Sequence, residues 1–162
     1  MKKCSVLFCC TGNICRSPTA EAVFRAKVAA AGLADLILVD SVGTHGYHVG
    51  KPPDARAQTA ALARGYDLSA LRGRRVERQD FERFGLVVAM DYDNRAYLER
   101  LCPPRARRKL KLMMEYARHY SVSEVPDPYG GAAEEFETVL DMVEDATAGL
   151  LDEIRRKYNV DP

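Results

Sequence analysis

Eight residues, Cys10-Thr11-Gly12-Asn13-Ile14-Cys15-Arg16-Ser17, constrain this chain more than any others. They are entered from Ser5-Val6-Leu7-Phe8-Cys9, an apolar run of the kind a strand buried on both faces shows. They are left through Pro18, whose missing N–H does no harm in a first helical turn. Ser17 reads as the N-cap and Pro18 as the first helical residue, so the octet is a strand-to-helix loop. Successive backbone amides and the positive end of the helix dipole converge on whatever such a loop encloses. The place suits an anion, phosphate above all.

A cysteine opens the loop and an arginine closes it. At a helix N-terminus beside a cation, a cysteine pKa falls from about 8.5 to roughly 3.5–7.5, which makes Cys10 a candidate thiolate. Arg16 has the planar fork to grip two phosphate oxygens at once. A thiolate on the floor of a phosphate cradle attacks phosphorus and forms a phosphocysteine intermediate. Singly, the parts are weak. A cysteine ending an apolar strand is ordinarily a small buried hydrophobe, and a lone strand–glycine–helix turn specifies no ligand. The conjunction of Cys, five residues, Arg, Ser and Pro at one junction carries the reading.

The rest of the chain alternates. A helix is predicted over 18–31, with Ala20, Val23, Phe24, Val28 and Ala31 on one stripe and Gly32 as its stop. A strand over 36–41 runs into a Gly/Pro-rich loop, 42–53. Asp54 caps an Ala-rich helix that reaches about Arg64 and is closed by Gly65. A basic, irregular stretch over 72–78 precedes a helical turn at 80–84, a strand over 86–90 and a helix over 91–100. A fourth strand is expected over 109–114 and a long loop over 121–133. From Phe136 to Tyr158 apolar residues recur at helical spacing. Strands alternating with helices predict an α/β fold with a parallel sheet, its site beyond the carboxyl ends of the strands. The 162 residues suit one domain over 1–162.

Val6-Leu7-Phe8-Cys9-Cys10-Thr11-Gly12-Asn13-Ile14-Cys15-Arg16-Ser17-Pro18-Thr19-Ala20-Glu21 resembles the signature of the low-molecular-weight protein tyrosine phosphatases. Val125-Pro126-Asp127-Pro128-Tyr129-Gly130 resembles that family's general-acid loop. The resemblance implies a doubly wound, four-stranded parallel sheet with helices on both faces, in keeping with the four strands counted. It implies hydrolysis of phosphotyrosine monoesters in a protein substrate. Cys10 would be the nucleophile, Arg16 and the loop from Thr11 through Gly12, Asn13, Ile14 and Cys15 to Ser17 would bind phosphate, and Asp127 would act as general acid and then base. Pro126 and Pro128 restrict the backbone on either side of that carboxyl. By the same resemblance Asn13 and Ser41 brace the cradle, and Tyr47 and Tyr129 form an aromatic slot for the phenyl ring; Ser17, besides capping the helix, has a hydroxyl near Cys10 to donate to the thiolate. Peroxide would join Cys10 to Cys15 as a reversible disulfide, with a packed free thiol at Cys15 as the alternative.

Departures keep other readings open. Thr11 stands where many members carry a larger apolar residue, and a threonine there occurs in related enzymes that take phosphate from arginine. Gly130 replaces a second tyrosine, and a histidine often found within 68–75 is absent, so its link to Asp91 must be made differently. Arsenate reductases share the loop but pass a disulfide to further cysteines, and here only Cys102 follows Cys15. No metal or organic cofactor is expected, because the loop amides and Arg16 supply the charge stabilisation. A net charge of +1 makes no case for nucleic acid or a membrane surface. His45, His48 and His119 and the basic runs at 72–78 and 105–109 read as solvated surface. Five cysteines without a disulfide pattern suggest a reducing cytoplasm, and a monomer is expected.

Overall fold

The central strand, β1 (Cys4–Cys10), sorts the molecule into two cores because successive side chains of a strand point to opposite faces. Cys4, Val6, Phe8 and Cys10 join one buried cluster, and Leu7 and Cys9 join the other. In this computed structural model, which describes residues 3–158, β2 (Ile37–Gly43) and β3 (Leu86–Ala89) flank β1 in parallel. The short β4 (Leu110–Leu112) pairs with β3, giving the order β2-β1-β3-β4. The first two and last four positions of the domain expected over 1–162 lie outside the described residues.

Helices cover both faces. Helix α1 (Arg16–Ala30) brings Val23, Phe24 and Val28 to the first cluster, α2 (Ala55–Leu62) brings Ala57 and Ala61, and α5 (Ala133–Tyr158) adds Leu140, Val143 and Leu150. The short α3 (Asp80–Arg83) and α4 (Tyr92–Leu101) place Phe81 and Leu98 in the second. This is the doubly wound, four-stranded parallel α/β sheet that the alternation and the resemblance predict. Phe8 meets Phe24 edge to face at 5.7 Å; burying each ring contributes about 1.5–3 kcal/mol.

Local signals set most boundaries. Gly32 follows α1 at φ 75°, a conformation that favours glycine. Asp54 and Asp91 cap α2 and α4 by accepting from the N–H groups of Arg56 and Asn94. Two expectations need correction. Ser17 is not an N-cap, since α1 already starts at Arg16 and Cys15 holds the cap position without a side-chain bond. The Ser17 hydroxyl is drawn instead to Cys10 and to the carbonyl of Val42. The fourth strand is three residues long. A 3-10 helix, Pro104–Lys109, precedes it, and Glu115 takes the N–H of Leu112 at 2.6 Å as another 3-10 turn begins. Among the described residues no helix is long and apolar enough to cross a membrane.

The register places the ends of three strands side by side: Cys10 lies opposite Gly43, and Cys9 opposite Ala89. The loop that begins at Cys10 therefore opens between the turns that follow β2 and β3.

Candidate active site

The octet forms a loop in which four carbonyls are held by groups outside it. Cys10 O accepts from Thr44 N at 2.9 Å, Thr11 O from His45 N at 3.0 Å, and Ile14 O from Asp54 N at 2.8 Å. Cys15 O accepts from Thr19 Oγ1 at 2.7 Å. The backbone N–H groups of Thr11 through Arg16 donate to no acceptor among the described residues. With these four carbonyls committed elsewhere and the amides free at the N-terminus of α1, the loop has the geometry that suits an anion.

Asn13 holds the loop's shape. Its φ of 59° is left-handed, which asparagine tolerates better than most residues. Its Nδ2 donates to Ser17 Oγ at 2.7 Å and Ser41 Oγ at 3.0 Å, and its Oδ1 accepts from Arg74 N at 3.0 Å. Ser41 in turn donates to Glu21 Oε1 at 2.7 Å. Burial pushes the Glu21 carboxyl pKa up, while Ser41 and the Arg25 ion pair at 2.8 Å pull the other way. Gly43 lies directly beneath the loop, with Thr11 O only 2.8 Å from the place of an added Cβ.

The sulfur of Cys10 receives the Ser17 N–H at 3.4 Å and lies 3.0 Å from Ser17 Oγ. Arg16, 2% exposed, donates through Nη1 to Asp91 Oδ2 at 2.7 Å and to Val125 O at 2.9 Å. Burial disfavours its charge, but Cys10, Asp91 and Asp127 together keep its pKa above the ordinary value. Asp127 reaches in from the far side, its Oδ2 3.9 Å from Arg16 Nη2. Its loop is fastened to the end of β3 where Val125 N meets Met90 O at 2.8 Å.

These groups face one cavity of about 250 Å³. Of the residues expected from sequence, Cys10, Thr11, Gly12, Ile14, Cys15, Arg16, Tyr47, Asp127 and Tyr129 line it. Asn13, Ser17 and Ser41 stand behind it, buried, within the network described above. Thr11 Oγ1 accepts from Asn94 Nδ2 at 3.1 Å. Cys10 and Cys15 are both free thiols, and burial, aided by Asp54, drives the Cys15 pKa far upward.

Several surface expectations fail. His48 is half-buried on the cavity wall, its ring 6.2 Å from that of Tyr129. Its position beside Tyr47 is the one sequence signal that pointed there. His45 bonds Thr44 and stacks on Tyr47 at 5.0 Å, whereas His119 is exposed as expected, its ring tied to Asp145 at 2.6 Å. The run over 72–78 is not uniformly solvated: Asp80 is fully buried, and Arg74 donates to both its oxygens as well as to Asp40. A buried carboxylate demands such partners. The Arg74 N–H also reaches Asn13, while Asp91 is bound by Arg16 and the Asn94 N–H. Sequence reasoning missed Glu21, Arg74, His48 and Arg56. Among the described residues no group of three or more His, Cys, Asp or Glu side chains is placed to hold a metal ion.

Residues 5–160 match the family described as low molecular weight phosphotyrosine protein phosphatase. The chain is 44% identical to the low molecular weight protein-tyrosine-phosphatase of Streptomyces coelicolor, covering 94% of each chain. It is 39% identical to the human low molecular weight phosphotyrosine protein phosphatase, over 83% of this chain and 85% of that one. Among solved structures it is similar to a protein tyrosine phosphatase from Entamoeba histolytica with Hepes in its active site. That likeness has a TM-score of 0.93 at 36% identity and covers 95% of this chain and 98% of the other. YfkJ from Bacillus subtilis gives a TM-score of 0.91 at 34% identity, covering 97% and 98%.

Proposed function

Because this chain belongs to the low molecular weight phosphotyrosine protein phosphatase family, we propose that it hydrolyses phosphotyrosine in proteins through a phosphocysteine on Cys10. The phosphate sits in the loop, held by the amides of residues 11–16 and by the Arg16 guanidinium. The Cys10 thiolate attacks phosphorus while the bond from phosphorus to the phenolic oxygen breaks. Asp127 gives its proton to that oxygen, so the tyrosine leaves neutral. The Asp127 carboxylate then takes a proton from a water that attacks phosphorus, and the sulfur departs as thiolate. The N–H and hydroxyl of Ser17 stabilise that charge at both ends of the cycle. Asn13 and Ser41 keep the loop in the shape these steps need.

The observation that supports this reading best is one cavity shared by Cys10, Arg16 and Asp127, the first two buried and the third at the mouth. The walls favour a phenyl ring, because Tyr47, His48 and Tyr129 present three flat side chains around the opening. A phosphoarginine substrate is the second reading, resting on Thr11 at the cavity wall. Its hydroxyl already accepts the Asn94 N–H, which leaves one lone pair for a guanidinium. Disulfide relay is disfavoured, since Cys102 belongs to the core on the opposite face of the sheet from Cys10 and Cys15. We place the enzyme in the cytoplasm as a monomer without a metal.

The test is phosphate release from a phosphotyrosine peptide and a phosphoarginine peptide in one assay, with Cys10→Ser as the blank. The expected result is turnover of phosphotyrosine that is lost in Cys10→Ser. A preference for phosphoarginine would hand substrate choice to Thr11, and appreciable activity in Cys10→Ser would remove Cys10 from the nucleophile role.

A further inference from the structure

Arg56 stands in the first turn of α2, outside the cavity, with 46% of its side chain exposed. Nothing about its type or position marks it in the sequence, yet its guanidinium joins two elements. On its own helix, Nε and Nη2 donate to the carboxylate of Asp54 at 3.1 and 2.9 Å. Across the gap, Nη2 donates to Tyr129 O at 2.7 Å and Nη1 to Gly131 O at 3.2 Å. The guanidinium carbon lies 4.8 Å from the centre of the Phe136 ring and 5.8 Å from that of Tyr129. Asp54, the other half of the pair, donates its N–H to Ile14 O at 2.8 Å. One short path therefore runs from the phosphate loop through Asp54 and Arg56 to the segment that carries Asp127.

That segment has a second fixed point. Val125 is bonded through its N–H to Met90 O at 2.8 Å and through its carbonyl to Arg16 at 2.9 Å. Between the two anchors Asp127 is half-exposed, held among the described residues by the Tyr129 N–H at 3.1 Å and by Arg16 at 3.9 Å. A carboxyl with so few contacts takes its position from the ends of its span. We propose that Arg56 is a positioning residue for proton transfer: its two bonds to the carbonyls of Tyr129 and Gly131 hold Asp127 over the phosphate loop. This rests on the reading of Asp127 as the proton donor.

The experiment compares kcat/KM for two aryl phosphates, one releasing a phenol of pKa about 10 and one releasing a strongly acidic phenol. This ratio covers the steps through cleavage of the phosphorus–oxygen bond. A poor leaving group needs the proton and a good one does not. Loosening the donor by a fraction of an ångström should therefore cost Arg56→Ala on the order of tenfold on the poor substrate. On the good substrate it should cost less than twofold, which also certifies the fold. Asp127→Ala is measured in parallel. If Asp127→Ala is selective for the poor substrate while Arg56→Ala is not, or is unchanged on both, the positioning proposal is overturned and the acid assignment stands. If Asp127→Ala slows both substrates equally, the acid assignment falls and takes the proposal with it.

Discussion

A single methyl group tests whether the phosphate loop depends on its bed. Gly43 closes β2 opposite Cys10, and a Cβ there would lie 2.8 Å from Thr11 O and 3.1 Å from both Asn13 N and Gly12 C. Ordinary contact begins near 3.4 Å, so Gly43→Ala needs about 0.6 Å of new room. The three atoms are backbone, and the carbonyls beside them are tied to Thr44 and His45, so no side chain can swing away to provide it. Overpacking of this kind costs about 1–3 kcal/mol, or a Tm lower by roughly 2–12 °C in a domain of this size. Productive geometry tolerates about 0.5 Å, and a 1 Å displacement costs up to about a hundredfold. A shift near 0.6 Å should thus lower kcat/KM on a phosphotyrosine peptide about tenfold. Gly46→Ala is the control, because the added methyl meets nothing closer than 3.6 Å and the backbone there is not left-handed. Calorimetry gives the Tm and steady-state kinetics the rate. Wild-type kcat/KM in Gly43→Ala, or an equal loss in Gly46→Ala, would refute the reasoning.

Ser41→Ala removes the hydroxyl between Asn13 and Glu21 and leaves a buried carboxylate one donor short. Denaturant unfolding should show a loss of about 1–3 kcal/mol, and an unchanged midpoint would mean the network does not brace the fold. The bond from Arg56 holds the Asp54 pKa below the usual carboxylate range in spite of partial burial. A folded pKa below the unfolded value of about 3.9 adds stability above that pH, and the gain is lost as pH falls through the folded value. Asparagine caps a helix as well as aspartate does, so Asp54→Asn should melt below wild type near neutrality and converge with it in acid. A gap that stays constant from about pH 6 to pH 3 would discount the ion pair.

How much of this was legible follows from distance along the chain. The Cys10–Ser17 loop and its strand could be read because the whole strand-to-helix turn is encoded in consecutive residues. The sheet could be read because β1 and β3 are short apolar runs between clear stops. Asp127 was visible through the prolines beside it and the resemblance of its loop. Glu21, Arg74 and Arg56 were hidden because each acts through partners far away in sequence: Ser41 for the first, Asp40 and Asn13 for the second, Tyr129 and Gly131 for the third. A basic run looks solvated until a buried Asp80 is found to need it. Ser17 misled because serine before proline is an ordinary helix start, whereas Cys10, Asn13 and Val42 claim the hydroxyl for another purpose. The edge strand came out short because Glu115 competes for the Leu112 N–H, a contact that no hydrophobic pattern records.

The contrast between the floor of the cavity and its rim has a consequence for how such an enzyme diversifies. Arg16 is 2% exposed and already bonded to Asp91 and Val125, so a change at its position breaks contacts to the cap of α4 and to the Val125 segment at once. Tyr47 and Tyr129 are 67% and 52% exposed, and their side chains meet their neighbours through ring contacts, the bonds of Tyr129 to Asp127 and Arg56 being made by its backbone. Mutation can explore the rim freely while the floor is held by selection on folding itself. On the function proposed above, a lineage can exchange one phosphoprotein clientele for another by altering a few rim side chains, and the reaction at phosphorus goes on unaltered beneath them.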